Sequence, residues 1–331
     1  MARKYNVYGV GNALVDVQYQ VSGEYIDKMS VGMGTMTLVD EARQRELIEN
    51  VENEPLERAS GGSAANTVIG VSNFGGSAYY GCKVGIDEPG DFYLRDLTAA
   101  GVDSNPNNRA DGITGQCVVL IGPDGERSLN TFLGITAEFS PHEIELEIVA
   151  NSDIVYIEGY LLSAESGFEA ALRAQELAKS KGTRVALTLS DVFIVDAFKE
   201  RVDEILRNGV DLLFGNEAEA MTYTDRSEVS GACIVIGNVV EDFAITLGGA
   251  GALVTDKGNV RTVDGNEADV VDTNGAGDAF AGAFLYGITS GRSSIEAGKL
   301  GCYAGAQVVS KFGPRLERDF SSRQVEEILS V

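Results

Sequence analysis

Short apolar runs alternate with stretches of helical spacing along most of this chain. Apolar runs at 5–10, 78–84, 153–157, 184–189 and 210–214 predict strands, and shorter ones at 244–247, 252–255 and 260–263 predict further β segments. Between them, apolar residues recur at helical spacing over about 41–52, 63–74, 89–100, 165–180, 192–207, 216–224, 276–289 and 293–311. Strands that are apolar throughout, separated by helices, predict an α/β fold: a mainly parallel sheet with helices on both faces. Two regions break the rhythm. Residues 13–21 with 35–39, and 115–121 with 127–133, alternate polar and apolar, the second pair joined by the turn Gly122-Pro123-Asp124-Gly125. With no predicted helix to cover them, they read as a small β lid over the main sheet, the alternative being edge strands of that sheet. The expected division is a large α/β domain of 1–12, 40–112 and 134–331, with the lid supplied by 13–39 and 113–133. No linker, low-complexity segment or internal repeat interrupts it.

The chain has 331 residues, enough for one large domain or two smaller ones. Its formal charge is −24, spread along the whole length. Nucleic acid and anionic membranes are therefore not expected partners, since both call for basic patches. The excess of acidic residues over lysine also fits a saline habitat. Cys82, Cys117, Cys233 and Cys302 are far apart and form no C-x-x-C pair, which predicts buried thiols in a reducing cytoplasm. His142, the lone histidine, follows Pro141 in a polar turn, so histidine-based catalysis is not expected. No apolar run is long enough to span a membrane, and Met1-Ala2-Arg3-Lys4 leads into a strand without a signal-peptide core.

The most specific chemistry lies in Asp272-Thr273-Asn274-Gly275-Ala276-Gly277-Asp278, between a strand-like run and a helix. Small residues let backbone N–H groups approach an anion, and the helix adds its positive end. Asp278 then places a carboxylate beside that hole, an arrangement suited to phosphoryl transfer onto a hydroxyl. A plain Gly-rich turn with an exposed Asp is the competing reading. Other motifs fall at predicted strand ends, where ligands bind in parallel α/β sheets. Gly9-Val10-Gly11 opens like a dinucleotide fingerprint, but Leu14 stands at the third glycine position and a strand follows. Asn12 and Asp16 instead offer an amide and a carboxylate for the vicinal hydroxyls of a sugar. Ser60-Gly61-Gly62-Ser63-Ala64-Ala65-Asn66 opens a helix with Asn66 in its first turn. Asn216 and Glu219 sit one turn apart, where Asn216 also serves as a helix cap. Thr246-Leu247-Gly248-Gly249-Ala250-Gly251 is a Gly-rich turn between β segments.

These motifs, in this order, resemble the ribokinase-like (PfkB-type) carbohydrate kinases over nearly the whole chain. Gly61-Gly62 with Asn66 looks like the family's N-terminal signature, and 272–280 like its C-terminal one. Within the family the chain looks most like adenosine kinases, on the segments 11–16, 187–190 with Phe193, 211–220, and Asn274. The resemblance implies an ATP-dependent transfer to the primary hydroxyl of a ribonucleoside, adenosine first, with a free sugar or inosine and guanosine as rival acceptors. A rival of another class is a nucleotide-binding regulatory protein without turnover. By resemblance, Asp278 is the base and Gly275, Ala276 and Gly277 form the anion hole. Asn12, Asp16, Gly62 and Asn66 would hold the ribose, and Leu14, Met36 and Leu129 of the lid would pack on a base. Arg127 would close over the phosphates. Asn216, Thr246, Gly248 and Gly251 would line the ATP site, with Asn216 and Glu219 organising Mg²⁺ and its waters. Asp272, Asn274, Val308, Lys311 and Gly313 could supply a K⁺ site, although 311–315 departs from the family's usual run. A monomer or homodimer is expected.

Overall fold

The computed structural model describes residues 3–316 and 319–330; Met1 and Ala2 of the N-terminal lead-in lie outside them. Nine strands form the main sheet, in the order Asn259–Val263, Ala252–Asp256, Asp242–Thr246, Leu212–Asn216, Arg184–Thr188, Ser152–Ile157, Tyr5–Val10, Ala78–Gly81 and Val102–Ser104. Every neighbouring pair from 242–246 to 102–104 is parallel; at the other edge 252–256 pairs antiparallel with both its neighbours.

Continuous apolar runs suit these strands because both faces are covered. Val7, Ile154, Tyr156, Ala186, Leu212 and Phe214 pack into the core on one face. Their neighbours Tyr8, Val10, Val155, Ile157, Val185, Leu187 and Leu213 pack into the core on the other. Leu187, Leu213 and Ile157 are fully buried, each worth about 1.5–3 kcal/mol relative to exposure. Since the strands are parallel, Val10, Ile157, Thr188, Asn216 and Thr246 all end at one edge of the sheet, which gathers the segments that follow them.

A second sheet has five strands in the order Met36–Leu38, Arg127–Phe132, Gly115–Ile121, Leu14–Gln20 and Glu57–Gly61. Two features differ from expectation. Strand Glu57–Gly61, from the stretch assigned to the large domain, pairs antiparallel with Leu14–Gln20. The sheet is also covered on one face, by helices Gly23–Met29 and Glu41–Glu49. Val15, Val17 and Tyr19 share a core with Tyr25, Met29 and Leu47, and Tyr25 Oη donates to the Leu47 carbonyl at 2.8 Å. The other face turns towards the edge where the main strands end. The helix expected over 192–207 is two, Val192–Ala197 and Lys199–Arg207, and helices Val229–Ile236 and Ser322–Leu329 complete the fold. Among the described residues no helix is long and apolar enough to cross a membrane. His142 is exposed, and all the cysteines are free and buried.

Candidate active site

Asp278 sits in the first turn of helix Ala276–Thr289, whose N-cap is Gly275 at φ 76°. That left-handed backbone favours glycine, and a Cβ here would lie 2.3 Å from the Pro314 carbonyl oxygen. No side chain caps the helix; the Ala276 N–H makes only a long contact, 3.4 Å, to the Thr273 carbonyl, so the helix start is open to a ligand. A Cβ on Gly277 would meet nothing within 4 Å, because this residue borders open cavity. Helix Ser63–Asn73 crosses close by, allowed by Gly70 and Gly282; a Cβ on Gly282 would lie 2.4 Å from the Thr67 carbonyl oxygen. The crossing delivers two donors to the carboxylate. Ser63 Oγ donates to Asp278 Oδ1 at 2.7 Å and Asn66 Nδ2 to Oδ2 at 3.1 Å. Burial raises the Asp278 carboxyl to about 6 against the pull of those hydrogen bonds.

A cavity of about 310 Å³ opens beside Asp278, between the small sheet and the strand ends of the large one. Alternation along the strands decides what lines it. Leu14 and Asp16, with Leu129 and Thr131, face inward at two-residue spacing, and Met36 pairs with Leu129 in the adjacent strand. Asn12, Gly62, Ser63, Asn66, Glu158 and Asp278 make a polar end; Leu14, Met36, Leu38, Leu129, Leu133 and Phe193 supply apolar surface. Glu158 accepts from the Asn12 N–H at 3.3 Å, from Asn12 Nδ2 at 3.0 Å and from the Ala64 N–H at 2.8 Å, fixing Asn12 at the cavity. Burial still pushes Glu158 up to about 7. Asp16 is also raised to about 7, by burial first, with Arg315 opposing and Asp278 and Glu57 adding to the rise.

On the far side of Gly277 lies a second cavity of about 270 Å³, glycine-lined and largely apolar, which holds Thr246, Gly248, Gly251, Ala276 and Phe280. A hollow bordered by Asn216, Glu219, Thr246, Gly277 and Asp278 lies between the two. Asn216 and Glu219 cap their helix reciprocally: the Glu219 N–H donates to Asn216 Oδ1 at 2.9 Å, and the Asn216 N–H to Glu219 Oε2 at 3.1 Å. Glu219 is raised to about 7 by burial, with Asp191 and Asp278 adding to the rise. Among the described residues no group of three or more His, Cys, Asp or Glu is placed to hold a metal. The Glu219 carboxyl and the Asn216 amide at this hollow nevertheless fit Mg²⁺ held through waters, since the ion takes few protein carboxylates and keeps waters and phosphate oxygens.

Arg127 stands outside these cavities in this arrangement, and the expected K⁺ ligands are otherwise engaged. Arg127 shares a face with Leu129 and Thr131 but stands two residues further out, where the Asp272 carboxylate holds Nη1 at 2.7 Å. Asp272 is held by that guanidinium and by the N–H groups of Asn274 and Gly313, at 3.1 and 3.2 Å. The Val308 carbonyl already accepts from the Ser310 and Lys311 N–H groups. The remaining expected residues are gathered around the cavities. Ser63, Glu158 and Arg315 were not anticipated; Ser63 lies within the motif that also contains Asn66, whereas no local pattern marks Glu158 or Arg315.

Residues 29–319 match the model of the pfkB family carbohydrate kinases. Adenosine kinase of Saccharomyces cerevisiae is 30% identical over 92% of this chain and 95% of its own. Adenosine kinase from Sinorhizobium meliloti has a closely similar structure, with TM-score 0.90 and 34% identity over 98% of this chain and 99% of its own. A probable sugar kinase from Rhizobium etli CFN 42 superposes with TM-score 0.91 and 34% identity, covering 99% of each chain. With an uncapped helix N-terminus beside an anchored carboxylate, between two cavities, and a family match over most of its length, the chain belongs to the pfkB family of carbohydrate kinases.

Proposed function

We propose that this protein transfers the γ-phosphoryl group of ATP to the 5′-hydroxyl of a ribonucleoside, adenosine in preference to others. The observation that carries this reading is the placement of Asp278 and Gly277 where the two cavities meet. Asp278 takes the proton of the attacking hydroxyl. First-turn N–H groups at Gly275, Ala276 and Gly277 stabilise charge on the transferred group. Asn12, Asp16, Gly62 and Asn66 bind the ribose, while Leu14, Met36, Leu129 and Phe193 offer apolar surface for a flat base, which a free sugar would leave unused. Asn216, Thr246, Gly248 and Gly251 line the nucleotide side. Asn216 and Glu219 would hold Mg²⁺ through waters, and the ion would supply positive charge to the phosphate oxygens. The small sheet acts as a lid that excludes water from the transfer. The relatives named adenosine kinase support the choice of acceptor.

The test is ADP release from Mg·ATP by the purified protein with adenosine, inosine, guanosine, cytidine, ribose, fructose or fructose 6-phosphate. Adenosine is expected to give the highest kcat/KM. Preference for ribose or fructose would overturn the acceptor assignment and leave the role of Asp278. ATP binding with no acceptor phosphorylated would sink the whole reading.

A further inference from the structure

Arg315 is remote from the motifs, yet its guanidinium ends beside the base. The segment carrying it is pressed against the anion-hole turn, since the Pro314 carbonyl oxygen lies where a Cβ of Gly275 would stand. Among the described residues, three contacts fix the guanidinium. Nε donates to Asn66 Oδ1 at 3.2 Å, Nη1 to Asp96 Oδ2 at 3.1 Å and Nη2 to Ser60 Oγ at 2.9 Å. Asp96 also accepts from the Ser60 N–H and hydroxyl, at 2.8 and 2.7 Å, so the fork is held from behind.

The consequence lies in the Asn66 amide. A guanidinium only donates, so it selects the amide oxygen. The Nδ2 group is then left to face Asp278 Oδ2, 3.1 Å away. Turning the amide over would set its NH₂ against the guanidinium and its oxygen against the carboxylate, two repulsions in place of two hydrogen bonds. The Asp278 carboxylate favours the same orientation, and the guanidinium adds the second hydrogen bond that locks it. We propose that Arg315, by fixing the Asn66 amide, is a positioning residue for Asp278. The proposal rests on the role of Asp278 given above. Arg315 thereby keeps Oδ2 in a hydrogen bond that favours the ionised carboxylate, as Ser63 does for Oδ1. The other ionisable groups coupled to Asp278 are Asp16, Glu158, Glu219, Tyr156 and Tyr160, none of which carries positive charge. Arg315 itself acts on Asp16.

The test is a double-mutant cycle read as pH profiles of kcat with adenosine, on the full chain. Arg315→Met should lower kcat at pH 7.5 by about tenfold, the usual worth of one lost hydrogen bond of this kind, and move the acidic limb upward. Arg315→Lys keeps the charge, lacks the fork and should recover only part of the loss. Asn66→Ala should show the same upward shift, and adding Arg315→Met to it should move the limb no further. An unchanged limb in Arg315→Met, or shifts that add in the double variant, would overturn the proposal. Titration of the Asp278 carboxyl by ¹³C NMR, identified by its loss in Asp278→Asn, reads the same coupling without turnover. It therefore decides the matter even if no acceptor is phosphorylated. Should Arg315→Met fail to fold, Arg315→Lys and Asn66→Ala complete the comparison: limbs left at the wild-type position in both would overturn it.

Discussion

Arg127 Nη1 lies 2.7 Å from Asp272 Oδ2, and both side chains are 7% exposed. The contact joins the first residue of a small-sheet strand to the head of the turn that leads to Asp278. It is a charge contact more than a directed one, since Nε and Nη1 make no aligned hydrogen bond, and the Phe312 ring lies 4.9 Å from the guanidinium. Asp272 in turn accepts the N–H groups of Asn274 and Gly313. A fixed positive group therefore occupies the carboxylate that a monovalent cation would need. Turnover is expected to be equal in K⁺, Na⁺ and tetramethylammonium at constant ionic strength. Activation by K⁺ of about tenfold, or about 1.4 kcal/mol, would show that a cation site forms all the same. Removing one partner of a buried pair costs about 3–5 kcal/mol, so Arg127→Met should lower the urea midpoint strongly, and Arg127→Met with Asp272→Asn less than the sum.

The base assignment predicts a separation of turnover from binding. Asp278→Asn should lower kcat by about 10²–10⁴ while ATP affinity, measured by calorimetry, changes little. With the carboxyl near 6 and those of Asp16 and Glu219 near 7 in the free protein, kcat/KM of the wild type should start to fall as pH drops below about 7 and fall more steeply below 6, because only the ionised Asp278 accepts a proton. A flat acidic limb in the wild type, or near wild-type turnover in the variant, would remove Asp278 from this role.

Folding stability should also depend on pH, in the direction opposite to a protein held by ionised carboxylates. Asp16, Glu158 and Glu219 lie near 7 and Asp278 near 6, all raised by burial above the ordinary carboxylate range. Between that range and about pH 7 the folded state binds more protons than the unfolded one, so stability declines as pH rises. Urea midpoints of the ligand-free protein should be higher at pH 5.5 than at pH 8. A midpoint that climbs across this interval would mean the cavity carboxylates are stabilised in their charged form.

Strand type was legible wherever both neighbours of a run are covered, as at 5–10 or 184–188, because burial on both faces demands apolar residues throughout. The inward positions of the small sheet were legible too: Leu14, Asp16 and Leu129 follow from alternation. Strand Glu57–Gly61 was not, since Glu-Arg-Ala-Ser-Gly carries no alternation and is held by pairing with Leu14–Gln20. Partners of charged residues escaped for a related reason. Alternation puts Arg127 on the correct face but does not say what lies over it, and a two-residue step along a strand, about 7 Å, carries it past the cavity to Asp272. Arg315 and Asn66 are 249 residues apart in sequence, and only tertiary packing joins them.

Gly277 separates function from fold with a single methyl group. A Cβ there meets nothing within 4 Å, and alanine is preferred to glycine inside a helix by about 0.8–1.0 kcal/mol. Gly277→Ala should therefore fold with an unchanged or higher Tm. The added methyl would nonetheless stand where the transferred group must be received, and kcat should drop by about 10²–10³, the usual effect of removing an oxyanion-hole contact. A variant that is stable and fully active would place the phosphoryl group elsewhere.

Asp16 gives the sharpest test of the acceptor. No described residue hydrogen-bonds its carboxyl, which borders the cavity, and Gly61 is kept free of a side chain beside it: a Cβ there would lie 2.2 Å from the carboxyl carbon. If the carboxylate receives the ribose hydroxyls, Asp16→Ala should raise acceptor KM by about 10–100-fold, the equivalent of one charge-assisted pair of hydrogen bonds, with ATP affinity unchanged. The same variant should lose discrimination between adenosine and 2′,3′-dideoxyadenosine, because the group that reads those hydroxyls is gone. Gly61→Ala should follow the same pattern by displacing the carboxyl rather than deleting it. If Asp16→Ala keeps the wild-type preference for adenosine over the dideoxy compound, the hydroxyls are read by other residues and Asp16 serves only the local charge balance.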